Sequence, residues 1–261
     1  MIPAAFRALA KESGDRKAAI LFTTDPLLGH AVSLSAMRLP PNAFASAVGS
    51  EYPTIAQRGD PIVCYQNTTI VLNQLQREAI ARLWERKLGQ DLQKLPQSER
   101  HRNLEPDSAE FVCALAAGCH ARRLAEIGGS SGISTIALAE AARQSGGSLT
   151  SVEIEPTRQS EARETIAALG LTNWVESVLG DAKDIIPRCS ELDFILLDCE
   201  KEDYIKFFQI LNLAPGAVVV ADNILSHGLF DYVAHVRMRS DVESITLPIG
   251  MGLEVTRFRP R

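Results

Sequence analysis

From Glu105 to the C-terminus, short apolar runs rich in β-branched residues alternate with longer segments of helical period. No other feature constrains the fold as tightly. A run that is apolar at every position is a strand buried on both faces, and such strands need helices on both sides of their sheet. The pattern predicts helices at about 107–118, 132–144, 158–169, 183–188, 203–212 and 229–238. Between and after them it predicts strands at Arg123–Ile127, Ser148–Ile154, Trp174–Val178, Phe194–Asp198, Ala217–Asp222, Glu243–Leu247 and Leu253–Phe258. The expected fold is α/β: a doubly wound, mostly parallel, Rossmann-like sheet. In such sheets ligands sit beyond the carboxyl ends of the strands, which is where candidate residues are sought.

Charge narrows the partners. The chain carries 27 Lys and Arg against 32 Asp and Glu, a net −5. Residues 1–104 hold 13 basic and 9 acidic side chains (+4), and residues 105–261 hold 14 and 23 (−9). An acidic second part argues against nucleic acid as a partner, because phosphate backbones need a basic footprint. It suits a cationic cofactor or a metal ion. No apolar run reaches bilayer length, so no membrane partner is expected. The first residues lack the apolar core of a signal peptide. Five cysteines without a CxxC pair read as reduced thiols, and the expected location is cytoplasmic.

Residues 1–104 are expected to form an N-terminal, mainly helical extension, and 105–261 the α/β domain. Prolines break residues 1–68 into short pieces. Residues 69–94 predict an amphipathic helix with Leu72, Leu75, Ala79, Leu83 and Leu88 on one stripe. Packing on the following domain is the favoured reading of that stripe; capping an active site or forming a homodimer seam is the other.

Three stretches carry candidate chemistry. Glu126-Ile127-Gly128-Gly129-Ser130-Ser131-Gly132-Ile133-Ser134 joins the first strand of the domain to its helix. Its G-x-x-x-G spacing departs from the dinucleotide fingerprint, and alone it would read as a tight turn. Glu153 then ends the next strand, where an acid can accept both hydroxyls of a ribose. Gly180-Asp181-Ala182 follows the third strand and can read an adenine edge, although Asp181 is equally a helix N-cap. Together these favour a nucleoside cofactor. Last, Asp198 and the Asp222-Asn223 pair end strands expected to be neighbours, with Lys201 three residues beyond Asp198. Two carboxylates and an amide with open positions suit Mg²⁺.

These stretches resemble the cation-dependent, class I S-adenosylmethionine O-methyltransferases, the family of the catechol and caffeoyl-coenzyme A enzymes. LLDCEKEDY at 196–204, ADNIL at 221–225 and DYVAHVR at 231–237 carry the resemblance furthest. It implies that S-adenosylmethionine is held by Glu126, Gly128, Gly132, Ser134, Glu153, Asp181, Ala182 and Asp198. It further implies that Asp198, Asp222 and Asn223 bind Mg²⁺ or another divalent cation, that Lys201 is the general base, and that the acceptor is a small phenolic. Two other readings remain: an NAD-dependent oxidoreductase, and a cofactor-binding module without turnover.

Overall fold

The structure, a computed structural model, describes the backbone of Phe6–Ser13 and Arg16–Thr23 and the chain from 71 to 259. Two compact units divide at Asn67/Thr68. In the first, β1 (Phe6–Ser13) and β2 (Arg16–Thr23) pair antiparallel from Phe6↔Thr23 to Ser13↔Arg16. This ribbon stands where the sequence had suggested mainly helical structure; the rest of 1–68 lies outside the described residues.

The second unit holds the predicted sheet. Its strands are β3 (Arg123–Ile127), β4 (Ser148–Glu153), β5 (Val175–Leu179), β6 (Leu192–Leu197), β7 (Leu213–Ala221), β8 (Val242–Leu247) and β9 (Leu253–Phe258), in the order β5-β4-β3-β6-β7-β9-β8. β3 to β7 run parallel; β9 inserts antiparallel beside β7 and carries β8 at the edge. The helices are α1 (Gln74–Leu92), α2 (Pro106–Gly118), α3 (Ile133–Ser145), α4 (Pro156–Ala168), α5 (Ala182–Ile185), α6 (Tyr204–Ile210) and α7 (Phe230–Arg237).

Alternation along each strand splits the core in two. Phe194, Leu196, Val218 and Val220 pack with α1, α2 and α3, whereas Ile195, Leu197, Val219 and Ala221 face α6 and α7. All eight are 5% exposed or less. At roughly 1.5–3 kcal/mol per fully buried large apolar side chain, this two-sided burial is the main force holding the central strands.

Helix α1 packs on this domain, as the favoured reading had it, with Leu72, Ala79 and Leu83 of the expected stripe buried and Leu75 and Leu88 turned outward. Its buried residues are Gln76, Ala79, Ile80 and Leu83, while Leu75 is 66% exposed and Leu88 is 44% exposed. The cause is a polar residue in the interface. Gln76 donates from Nε2 to the buried Glu140 Oε2 at 2.8 Å and closes a capping box with Asn73. A satisfied glutamine thus takes the inward position that apolar periodicity assigns to Leu75.

Candidate active site

Strand register builds the site. Ile127 pairs with Val152 on one side and Leu197 on the other, and Leu197 pairs with Ala221. The residues that follow, Gly128, Glu153, Asp198 and Asp222, therefore leave the sheet along one line at its carboxyl edge. Backbone bonds hold that line: the amide of Asp198 donates to Ile127 O, that of Asp222 to Leu197 O and that of Gly128 to Val152 O, at 2.9–3.0 Å. β3 and β6 flank the point where strand order reverses, the customary ligand crevice of this architecture.

A cleft opens there, lined by Gly128, Ser130, Glu153, Asp181, Ala182 and Asp198 among others. Of the residues that the resemblance gave to the cofactor, five line this cleft: Gly128, Glu153, Asp181, Ala182 and Asp198. Glu126, Gly132 and Ser134 do not. Glu126 is fully buried behind the loop, accepting hydrogen bonds from the hydroxyls of Thr135 and Ser151. Burial raises its carboxyl, and those hydroxyls pull the other way. Gly132 serves packing: its φ is +111°, and a Cβ there would meet Ala162 at 3.2 Å. Ser134 is buried at the start of α3.

Gly128 is needed for close approach. Its φ is +95°, and a Cβ would lie 2.8 Å from the backbone carbon of Asp198. Glu153 is nearly buried and already engaged. Its Oε2 accepts from the Ser130 amide at 2.8 Å, and Oε1 accepts from the amides of Ile154 and Glu155 at 2.9 Å. The acid thus shapes the glycine loop as well as facing the cleft. Asp181 caps α5 through the Lys183 amide at 2.8 Å while lining the same cleft, so its two expected placements coexist.

The segment before α2 crosses the glycine loop, a contact that sequence reasoning missed because residues 97–105 have no period and no motif. The Arg102 amide donates to Ser130 Oγ at 3.0 Å, and Asn103 Nδ2 donates to Ser131 Oγ at 2.7 Å. His101 bridges Ser131 Oγ at 3.1 Å and Glu161 at 2.9 Å. Burial lowers the His101 imidazole despite the Glu161 charge, which fits a neutral ring donating to Glu161 and accepting from Ser131. The Arg102 guanidinium pairs with Glu200 across the cleft.

Asp198, Lys201, Asp222 and Asn223 converge as the spacing suggested. Lys201 Nζ donates to Asp198 Oδ1 and to Tyr204 Oη, both at 2.9 Å. Asn223, held at φ +63°, donates from Nδ2 to Asp198 Oδ1 at 3.2 Å and to Asp222 Oδ2. Asp222 Oδ1 is buried with no hydrogen-bond partner. Burial, with the negative charges of Asp198 and Glu105, pushes the Asp222 carboxyl up to about 8. Uncompensated negative charge of this kind is what a bound cation relieves, so the donor set fits a divalent ion. Among the described residues, no three His, Cys, Asp or Glu side chains cluster closely enough to hold a metal; the set here is two carboxylates and an amide.

A second cavity adjoins the cleft and is lined by Lys87, Arg100, Glu105, Lys201, Asn223 and Met251, among others. It shares Arg102 and Asp198 with the first.

The chain's relatives by sequence and by fold are class I S-adenosylmethionine O-methyltransferases. Within that class, the chain belongs to the family described as "Protein of unknown function (DUF1442)", whose pattern matches residues 97–259. It is 35% identical over 133 residues to a catechol O-methyltransferase of Niastella koreensis, covering 48% of this chain and 60% of that one. It is 37% identical over 123 residues to a catechol O-methyltransferase of Mycobacterium tuberculosis, covering 46% and 56%. The chain therefore spans less than two thirds of the length of these relatives. The O-methyltransferase TomG of Streptomyces achromogenes, involved in tomaymycin synthesis and solved with S-adenosylmethionine, superposes with a TM-score of 0.60. The two are 25% identical, with 70% of this chain and 90% of that one covered.

Proposed function

We propose that this protein moves a methyl group from S-adenosylmethionine to a hydroxyl of a small phenolic, catechol-like acceptor, with a divalent cation such as Mg²⁺ required. One observation carries the reading: the cofactor cleft and a second cavity meet at Asp198, with Lys201 in the second cavity and hydrogen-bonded to that same carboxylate. A methyl donor in one and an acceptor hydroxyl in the other would face each other across a single residue.

The glycine loop and Glu153 would bind the nucleoside end of S-adenosylmethionine, and Asp181 and Ala182 its base. When bound, that cofactor supplies an electrophilic methyl; a divalent ion on Asp198, Asp222 and Asn223 would stabilise the charge developing on the acceptor oxygen. Lys201 Nζ removes the hydroxyl proton as general base, steadied by Tyr204 Oη, whose own hydroxyl donates to the Asp222 carbonyl at 3.2 Å. Holding donor and acceptor in line contributes much of the rate. The nicotinamide reading loses support because the glycine loop, Gly128-Gly129-Ser130-Ser131-Gly132, departs from the G-x-G-x-x-G dinucleotide fingerprint.

The test is methyl transfer to a catechol panel with Mg²⁺, after chelation and after Mg²⁺ is restored, alongside S-adenosylmethionine binding by calorimetry. Asp222→Ala should abolish transfer yet leave cofactor binding intact. Lys201→Ala should keep binding and slow turnover by roughly 10²–10⁴-fold, as for a lost general base. Full turnover in chelator would remove the metal from the reaction.

A further inference from the structure

The charge asymmetry of the sequence has a local counterpart in the second cavity. Lys87, Arg100 and Arg102 in its lining come from the basic first 104 residues, whereas Asp198, Lys201 and Asn223 come from the acidic remainder. Lys87 stands on α1 and Arg100 in the segment that follows it; Asp198 and Asn223 leave the sheet after β6 and β7. The cavity is thus bounded on one part by cations and on another by the groups proposed to act on the acceptor hydroxyl.

Pairing leaves the cationic part with surplus charge. Asp91 serves two cations at once: Lys87 Nζ lies 2.7 Å from its Oδ2, and Arg100 Nη1 lies 3.1 Å from its Oδ1. Burial raises the Asp91 carboxyl, but the two cations outweigh it and hold the group below its ordinary value. The three side chains together therefore carry one net positive charge at neutral pH. The neighbouring basic groups are partnered elsewhere, Arg102 with Glu200 and Lys201 with Asp198. Glu105 also lines the cavity, yet it is bonded to neither cation, and burial raises its carboxyl.

A strut between α1 and the following segment would need only one cation for its one carboxylate. The second is held where the Lys87 side chain is 20% exposed and that of Arg100 is 34% exposed. Withdrawing a surplus charge from water costs free energy that an incoming anion offsets. Donors remain for such an anion. An ammonium and a guanidinium each carry more N–H groups than the single bond that each makes to Asp91. Lys87 is further steadied over the Trp84 ring, 4.9 Å from its centroid.

We propose that Lys87 and Arg100 bind a carboxylate carried by the acceptor, so that hydroxylated aromatic acids are preferred to neutral or amine-bearing catechols. This rests on the methyltransferase reading above and narrows its substrate class. Arginine suits the role because its planar fork matches a carboxylate.

The probes are three catechols that differ in charge: 3,4-dihydroxybenzoate, 3,4-dihydroxybenzyl alcohol and 3,4-dihydroxybenzylamine, each with S-adenosylmethionine and Mg²⁺. Wild type should favour the acid over the alcohol by about tenfold or more in kcat/KM, the scale of one charge-assisted hydrogen bond. The amine should be the poorest of the three. Lys87→Met and Arg100→Met should move the acid-to-alcohol ratio toward one, chiefly through KM for the acid. Arg100→Lys, which keeps the charge, should restore part of it. Asp91→Asn is the opposing arm: it releases both cations and should raise the ratio above wild type. A strut alone would weaken acid and alcohol equally, and Asp91→Asn would then act in the same direction as the methionine variants. Calorimetric titration of acid and alcohol into protein loaded with S-adenosylhomocysteine should give the same order without turnover. A wild type that takes acid and alcohol alike overturns the carboxylate site and leaves methylation standing, whether or not the variants fold. Ratios that do not move in folded variants overturn it as well. A wild type that neither methylates nor binds any of the three overturns the phenol-methylation reading itself, and this inference with it.

Discussion

Gly128→Ala isolates the closest backbone approach in the site. The native φ of +95° disfavours any L side chain, at about 1–2 kcal/mol by analogy with the left-handed region. The new methyl would also meet the backbone of Asp198 and lie 3.2 Å from Cys199 Cα. Overpacking of that kind costs about 1–3 kcal/mol more, giving about 2–5 kcal/mol in total. Gly146 is the matched control: it ends α3 at φ +67° with nothing within 4 Å of an added Cβ. Gly146→Ala therefore bears only the conformational cost, about 1–2 kcal/mol. For a unit of this size, each kcal/mol shifts Tm by about 2–4 °C. Thermal melts followed by circular dichroism should show a drop of about 4–20 °C for Gly128→Ala and about 2–8 °C for Gly146→Ala. Because the strain falls on Asp198, S-adenosylmethionine affinity should also fall in the first variant and hold in the second. Equal melting points and equal affinities in the two variants would refute the close-approach argument.

Glu153→Ala should weaken S-adenosylmethionine binding by about 1.5–3 kcal/mol in calorimetry. It should also lower Tm, since three backbone amides lose their acceptor. His101 provides a pH test. Its folded-state value is lowered by burial, so below about pH 6.5 the unfolded chain binds more protons and stability falls as pH drops, by at most about 1.4 kcal/mol per unit. Urea melts of wild type and His101→Gln between pH 5 and 7.5 should diverge in slope in that window; parallel curves would mean the ring is not held neutral.

The central parallel strands were readable because they are buried on both faces, which leaves uninterrupted runs such as Phe194–Leu197 and Ala217–Ala221. The convergence of Asp198 and Asp222 was readable for a related reason: neighbouring parallel strands that end together put their next residues side by side. The glycine loop was legible as a loop but not residue by residue. Gly128 approaches the Asp198 backbone beside the cleft, whereas Gly132 accommodates α4, and spacing cannot separate a glycine that faces a ligand from one that faces a helix. Helix α1 was found, with Leu72, Ala79 and Leu83 of the expected stripe inward, but Gln76 took the place expected of Leu75, because it reads as polar until its partner Glu140, 64 residues away, is in view. Arg102 was invisible, since its segment is tied to the glycine loop by tertiary bonds with Ser130 and Ser131.

Arg102 and Asp198 each belong to two cavities at once. On the proposed reading a ligand in each cavity would contact both residues, and any coupling between the two sites is reciprocal. Whatever factor a bound cofactor applies to acceptor affinity, a bound acceptor applies to cofactor affinity. A substitution at either residue consequently alters a coupling as well as two separate affinities, and four dissociation constants around one closed cycle are needed to describe it.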